Sequence, residues 1–467
     1  MSGAALTGSH WTDDARRIAR LAWPVLVGQL SVLAFSTIDT LLVARASATD
    51  LAALAIGAAA YITIFIGGMG VLMGLSPIVG QLYGAGRHQD AGRQMHQAVW
   101  VALGLALLSC VFLLFPQPFL MLSRASPEVA EKIRGYLLAL AFSLPASLLF
   151  TVYRAFNTAV SRPKAVMALQ LGGLAIKLPL STLLVFGWPA LGIPALGAVG
   201  CGIATAVAMW TQALLAWRVL KKDAFYADFA LFGRGLDRPD KAALRQLLRQ
   251  GVPTGASLLI EVTGFVFMAI FIARLGTTAV AGHQIVANLV ALLFMVPLAL
   301  ASASGTLVAQ HIGAGQAVEA RRIGWHGLLI GTGLAAVMGL MVFAARRPVL
   351  QLYTSDAAVI AAAFPLVAWL GVFHIADAAQ TLAAFVLRAY KVATVPVVVY
   401  ATALWGVGLA GGYVLAFDLS GSVPTSLQGA PGFWMASTSG LVLAATALSA
   451  FMAWMFRQHR LEAAAAH

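Results

Sequence analysis

Apolar stretches of about 20 residues recur almost end to end along this chain, each long enough to cross a hydrocarbon core roughly 30 Å thick as a helix. Hydropathy and the polar, Gly and Pro breaks predict helices near 21–43, 52–76, 94–115, 133–157, 166–187 and 191–217, then 251–273, 281–304, 323–345, 360–386, 395–417 and 434–456. Twelve spans leave little chain for a soluble domain. Composition agrees: of 467 residues 60% are hydrophobic and only 10% charged, with a mean hydropathy of +0.87, far from the soluble globular range. The expected fold class is an all-α membrane protein.

A formal net charge of +13 raises nucleic acid as a partner, and the placement of the basic residues argues against it. With the N-terminus inside, 22 of the 30 Lys and Arg fall on the cytosolic side. Seven fall opposite, at Arg45, Arg124, Lys132, Arg134, Arg274, Arg346 and Arg347, and Lys177 is left within the fifth span. This alternation predicts a multi-pass protein of the bacterial inner membrane with both termini cytosolic. Residues 1–20, with Asp13, Asp14, Arg16, Arg17 and Arg20, read as a retained cytosolic tail rather than a signal peptide, since the following span is too long and no clear cleavage site appears. Cys110 and Cys201 both fall inside spans, so neither a disulfide framework nor a metal site is expected from them.

Displaced by 229 residues, the sequence matches itself. Pro24 falls on Pro253, Ala44-Arg45 on Ala273-Arg274, Thr49 on Thr278, Ala52 on Ala281 and Ile56 on Ile285. In the next loop Gln81, Gly84-Ala85-Gly86, Ala91 and Arg93 fall on Gln310, Gly313-Ala314-Gly315, Ala320 and Arg322. Equivalent residues lie six spans apart, so both copies enter the membrane from the same side and form a parallel repeat. The expected organisation is a tail at 1–20, a first six-helix lobe at 21–217, a basic cytosolic linker at 218–250, a second lobe at 251–456 and a tail at 457–467. Repeat interfaces near the midplane commonly hold a transporter's substrate.

Asp39, Glu261 and Asp377 lie well inside spans, where an acidic side chain costs at least about 2.5–3.5 kcal/mol. Each reads as a functional group, with a structural ion pair or a neutral carboxyl as the alternative. Glu261, Phe265 and Met268 share one helix face, joining a carboxylate to apolar and aromatic surface that suits flat apolar cations. His374, Asp377, Gln380 and Thr381 form a polar face in an otherwise apolar span, where His374 either relays protons or simply hydrogen-bonds. Lys177 is expected to pair with Asp39, unless it snorkels to an interface.

Pro24, Pro145, Pro179, Pro253, Pro297 and Pro365 remove backbone donors within spans, and some of them are expected hinges. Gly70 and Gly74 form a GxxxG pattern that reads as close packing within the fold. Walker A, H-E-x-x-H and G-x-S-x-G patterns are absent from the sequence, which argues against ATP-driven pumping and against an enzyme. Gly200-Cys201-Gly202 opens no βαβ unit and is not a dinucleotide loop.

Taken with Pro24 and Ile38-Asp39-Thr40, the runs Asp50-Leu51-Ala52-Ala53, Pro77-Ile78-Val79-Gly80-Gln81 and Gly84-Ala85-Gly86 resemble the multidrug and toxic compound extrusion (MATE) transporters, in their NorM-like branch. The resemblance continues through Gly200-Cys201-Gly202-Ile203-Ala204-Thr205, Glu261, Gly282-His283-Gln284-Ile285, Asn288 and Asp377, and so covers nearly the whole chain. It implies a V-shaped, twelve-helix transporter of two lobes that exchanges organic cations for inward-moving sodium ions or protons without ATP or a bound cofactor. It further implies that Asp39 belongs to a first-lobe cation or proton site linked to bending at Pro24. Glu261 and Asp377 would form the second-lobe site, with Phe265 and Gln284 near bound drug.

Two departures bear on the coupling ion. Where NorM-like sequences commonly place two asparagines, this chain has Lys177 and Ser181, and where sodium-dependent relatives often have tyrosine it has Phe373. Hard cations need several oxygen ligands, so both changes weaken the case for sodium. The expected function is a secondary active multidrug efflux antiporter, a monomer exporting small organic cations in exchange for protons. Asp39, Glu261 and Asp377 would couple transport, Lys177 would act as a charge latch, Phe265, Met268, Gln284 and Asp377 would contact substrate, and Pro24 would serve as the hinge. The alternatives are sodium coupling, or a lipid or oligosaccharide flippase, which would be expected to carry more Arg and Lys around its anionic cargo.

Overall fold

Among the described residues twelve helices are long and apolar enough to cross a membrane: α1 Ala5–Ala46, α2 Ala48–Gly84, α3 His88–Leu114, α4 Pro127–Ala159, α5 Pro163–Phe186, α6 Gly197–Lys222, α7 Lys241–Ala273, α8 Thr277–Gly313, α9 Ala317–Ala344, α10 Ala357–Ala389, α11 Thr394–Ala416 and α12 Ala430–Ala465. This is a computed structural model that describes residues 5–123, 126–233 and 235–465, so the expected placement of Arg124 and the extreme ends of both tails lie outside the described residues. The helices overrun the apolar stretches because hydropathy marks only what sits in hydrocarbon, whereas the i→i−4 ladder runs on until a cap or turn ends it. Thus α7 starts at Lys241 rather than near 251.

The chain divides into two compact units. One is Trp23–Gly255; the other takes Ala256 onward together with α1 as far as Ala22. Both changeovers fall within two residues of a proline of the repeat, Pro24 inside α1 and Pro253 inside α7.

Within Trp23–Gly255, α4 is the hub, packed against α2, α3, α5 and α6. Leu137, Leu140, Leu144, Leu148, Val152 and Phe156 recur along it at helical spacing and are buried. In the other unit α10 holds the equivalent position, against α8, α9 and α12. Lipid tails are as apolar as leucine, so close fit rather than burial from water drives such contacts. The GxxxG glycine Gly74 shows it: an added Cβ would lie 2.6 Å from the Gly251 nitrogen, and one on Gly251 would lie 2.1 Å from the Val71 carbonyl oxygen, so α2 and the start of α7 touch backbone to backbone.

Asp50, near the start of α2, is a second fixing point. Its carboxylate takes Lys132 Nζ at 2.6 Å and caps α6 by accepting the Ala198 N–H at 3.0 Å. Gly197 has φ +53°, and a Cβ there would sit 2.2 Å from Asp50 Oδ1. Backbone conformation and space therefore both demand glycine.

The two segments expected as cytosolic tail and linker are both packed against helices. The N-terminal segment continues α1, and Asp14, 1% exposed, accepts from Arg322 Nε at 2.9 Å and pairs with His326 Nδ1 at 2.7 Å on α9, while Trp11 stacks edge-on against the His326 ring. The linker carries a 3-10 turn, Ala224–Phe229. It is tied to α3 through His96, whose Nδ1 lies 2.9 Å from Asp237 Oδ2 and whose Nε2 donates to the Leu231 carbonyl at 3.0 Å, and through Gln97, which donates to the Arg238 carbonyl at 3.0 Å. Arg162 closes the other end on Asp223 at 2.7 Å, stacked over Phe225. Hydropathy registers both segments as polar; it does not register that their polar groups have partners.

Candidate functional site

Each unit buries its own acidic centre. In Trp23–Gly255, Asp39 on α1 is 7% exposed and faces Lys177 on α5, which is fully buried. The ammonium lies 2.9 Å from both carboxylate oxygens and also donates to Thr205 Oγ1 at 2.6 Å. Ser181, one turn beyond Lys177, donates to Asp39 at 3.5 Å, and the Phe35 ring lies 5.4 Å from the ammonium. Pairing rather than snorkelling is therefore the geometry, since a cation with three donors meets two carboxylate oxygens and a hydroxyl. Pro179, two residues from Lys177, lies inside α5.

In the other unit Glu261 on α7 and Asp377 on α10 share one amide. Gln380 Nε2 lies 3.2 Å from Glu261 Oε1 and 3.0 Å from Asp377 Oδ1, with Thr381 Oγ1 also at 3.0 Å. Its carbonyl oxygen is in turn held by the Tyr400 hydroxyl of α11, which orients the amide so that the NH₂ faces the acids. Beyond Tyr400 the backbone of α11 widens into a π-helical stretch, Ala401–Ala410. From it Trp405 Nε1 donates to the Ile260 carbonyl at 3.0 Å and holds α7 beside Glu261. Wide turns of this kind are rare and concentrate at functional sites.

The aromatic face expected at Phe265 is present: its ring lies 6.0 Å from Phe373, 6.0 Å from His283 and 6.1 Å from Trp434. Met268, expected on the same substrate face, is packed in the core in this structure. It is 1% exposed in the core, with Ser437 donating to its sulfur at 3.4 Å, because at i+7 from Glu261 it turns toward α12. Gln284 is exposed on α8, while its neighbour His283 is buried and accepts from Trp434 Nε1 at 3.2 Å. His374 is fully buried, and neither ring nitrogen finds a hydrogen-bond partner among the described residues.

Sequence reasoning missed Tyr400 and Arg388. Arg388, counted among cytosolic loop residues, sits in the last turn of α10 at 8% exposure, with its guanidinium 5.1 Å from the Phe385 ring. A signal was available: Arg388 follows Asp377 by 11 residues, about three turns, and so shares its helix face.

The MatE family model matches this chain twice, over residues 24–183 and 253–414, two segments that begin 229 residues apart. A protein named "Probable multidrug resistance protein NorM" from Aromatoleum aromaticum is 41% identical over 95% of this chain and 94% of its own length. The chain belongs to the MATE family. A relative from Pectobacterium atrosepticum named "Multidrug resistance protein MdtK" is 33% identical, covering 96% of this chain and 97% of its own. The fold matches the crystal structure of the eukaryotic MATE transporter AtDTX14 with a TM-score of 0.85 at 18% identity, over 96% of this chain and 99% of that one. As a MATE protein the chain is a multi-pass membrane transporter rather than an enzyme. The two model matches coincide with the repeat read from the sequence.

Proposed function

We propose that this protein is a secondary active exporter of small organic cations, driven by inward proton movement, in the inner membrane with both termini cytosolic. The observation that carries this reading is the pair of half-buried Glu261 and buried Asp377, on facing helices around a single Gln380 amide and next to the Phe265, Phe373 and Trp434 rings. Two carboxylates sharing one donor are short of positive charge. A proton or an apolar cation supplies it, and competition between them is the coupling. The drug-resistance names of the relatives support the cargo class, and Phe265 and the exposed Gln284 are the side chains assigned to it.

In the first half Lys177 occupies the place a bound metal cation would take, holding Asp39 as a charge latch near the Pro24 hinge. That tethered ammonium favours protons over sodium as the coupling ion. The working unit is proposed to be a monomer that needs no cofactor.

The test is ethidium movement in proteoliposomes of purified protein under a proton gradient or a sodium gradient alone. Proton-driven movement that disappears in Glu261→Gln and Asp377→Asn is the expected result. Movement driven by sodium alone overturns the coupling assignment, and no cation movement under either gradient overturns the cargo class.

A further inference from the structure

Where α6 ends and the linker packs against α3, the surface is both basic and aromatic, and transport gives it no role. Trp217, Arg218, Lys221 and Lys222, on the last two turns of α6, are exposed, as are Phe232 and Arg238 of the linker. Phe232 meets Trp217 edge-on with ring centroids 6.4 Å apart, and the Lys221 ammonium lies 5.1 Å from the Trp217 ring. Trp100 on α3 donates to the Asp237 carbonyl at 2.9 Å and helps to hold the linker in this place. Charge along the linker is sorted. Its carboxylates turn to the chain itself: Asp223 to Arg162 and the Phe225 N–H, Asp237 to His96, and Asp240 to the Ala242 and Ala243 N–H groups that open α7. Asp228 is left as the exposed acid. Arg218, Lys221, Lys222 and Arg238 form no ion pair among the described residues.

We propose that this surface docks anionic phospholipid: the headgroup phosphate meets Arg218, Lys221, Lys222 and Arg238, while Trp217 and Phe232 lie at the boundary with the acyl chains. Depth argues for this occupant. Leu214 and Leu215 are exposed, as lipid-facing residues are, and the cations follow within two turns of them, where α6 leaves the hydrocarbon and headgroups begin. Basic clusters just beyond a membrane span attract anionic lipid, and a guanidinium offers phosphate a matched pair of donors. The C-terminus of a helix favours cations by itself, yet it does not call for exposed rings beside them. A zwitterionic headgroup brings its own ammonium and leaves these cations unmatched. Bound here, one lipid touches both α6 and the linker, and it steadies the docked linker from outside as His96 does from within. The proposal is independent of the cargo and of the coupling ion.

The experiment is native mass spectrometry of the purified full-length protein, released from micelles holding equal amounts of phosphatidylglycerol and phosphatidylcholine with the same acyl chains. The ratio of the two lipid adducts reads the preference. Wild-type protein is expected to keep phosphatidylglycerol in excess. Arg218→Gln, Lys221→Gln and Lys222→Gln combined are expected to lower the ratio by about fivefold or more. The charge-keeping set Arg218→Lys, Lys221→Arg and Lys222→Arg is expected to retain it, whereas Trp217→Ala is expected to lower it with every charge in place. Arg16→Gln, Arg17→Gln and Arg20→Gln combined remove as many exposed cations from the start of α1 and are expected to leave the ratio nearly unchanged. An equal fall in the two neutralised sets means general attraction to a basic protein and overturns the proposal, as does an unchanged ratio in the α6 set. Glycerophosphoglycerol, the same headgroup without acyl chains, is expected not to displace the lipid; displacement by it overturns the lipid assignment in favour of a free phosphate diester.

Discussion

Replacing Lys177 by methionine tests whether the first-half centre is a closed ion pair. The ammonium is fully buried and 2.9 Å from both oxygens of Asp39, so at an effective dielectric of about 20 the pair attracts by about 5–6 kcal/mol. Desolvation of both ions offsets part of this, and removing one partner of such a pair typically costs about 3–5 kcal/mol. Little else holds the carboxylate, because Ser181 is 3.5 Å away and Thr205 is a partner of the lysine. Lys177→Met and Asp39→Asn should each lose about 3 kcal/mol or more, measured by graded SDS unfolding in mixed micelles followed by circular dichroism. The double variant should lose no more than either single variant, since no unpaired buried charge is left, giving a coupling of about 3 kcal/mol. Additive losses, or a single-variant effect below about 1 kcal/mol, would refute the pair as a determinant of stability. Lys177→Asn adds a functional arm: if the ammonium stands in for a metal ion, this variant should acquire sodium dependence of transport.

Two further outcomes are expected. Gly197→Ala forces a left-handed φ on alanine and drives a methyl into Asp50 Oδ1, displacing the carboxylate from Lys132 and the Ala198 N–H; a loss of about 2–4 kcal/mol is expected, seen as a lower thermal transition of the purified protein. Asp223, outside the spans, has a depressed pKa because the Phe225 N–H and then Arg162 favour its charged form. A depressed carboxyl contributes stability that is fully present above its unfolded value of 3.8 and fades as pH falls through the folded value, so a spin label at exposed Asp228 should report a linker that loosens only in acid. In Asp223→Asn the loosening should already be present at neutral pH, and equal mobility there in both proteins would sink the argument.

The scaffold was legible in the sequence because its signals are local or repeat: twelve apolar runs, and glycines kept at one offset. Gly86 and Gly315, matched by that offset, both adopt left-handed φ, +72° and +74°, where the chain turns between spans. What was hidden depends on neighbours that sequence distance conceals. Met268 has the right helical phase for a substrate face, yet α12 covers it. Arg388 sits at the edge of an apolar run, where hydropathy cannot tell a loop cation from one buried in the last turn of a helix. Asp14 looked like tail composition, and only its pairing with Arg322, some three hundred residues on, makes it an anchor.

The repeat duplicates the scaffold but not the charge, and this asymmetry divides the proposed work between the halves. Asp39 finds its cation within the chain at Lys177, so that centre is neutral with nothing bound. Glu261 and Asp377 instead meet the neutral amide of Gln380. If both halves were short of a charge, each cycle would have to fill two sites, and a proton at one would not oblige cargo to leave the other. With one half self-neutralised, the proposed deficit lies beside the aromatic face, where proton and cargo would compete for it. On this reasoning Lys177 contributes to coupling from the opposite half by removing a second place for the proton to go.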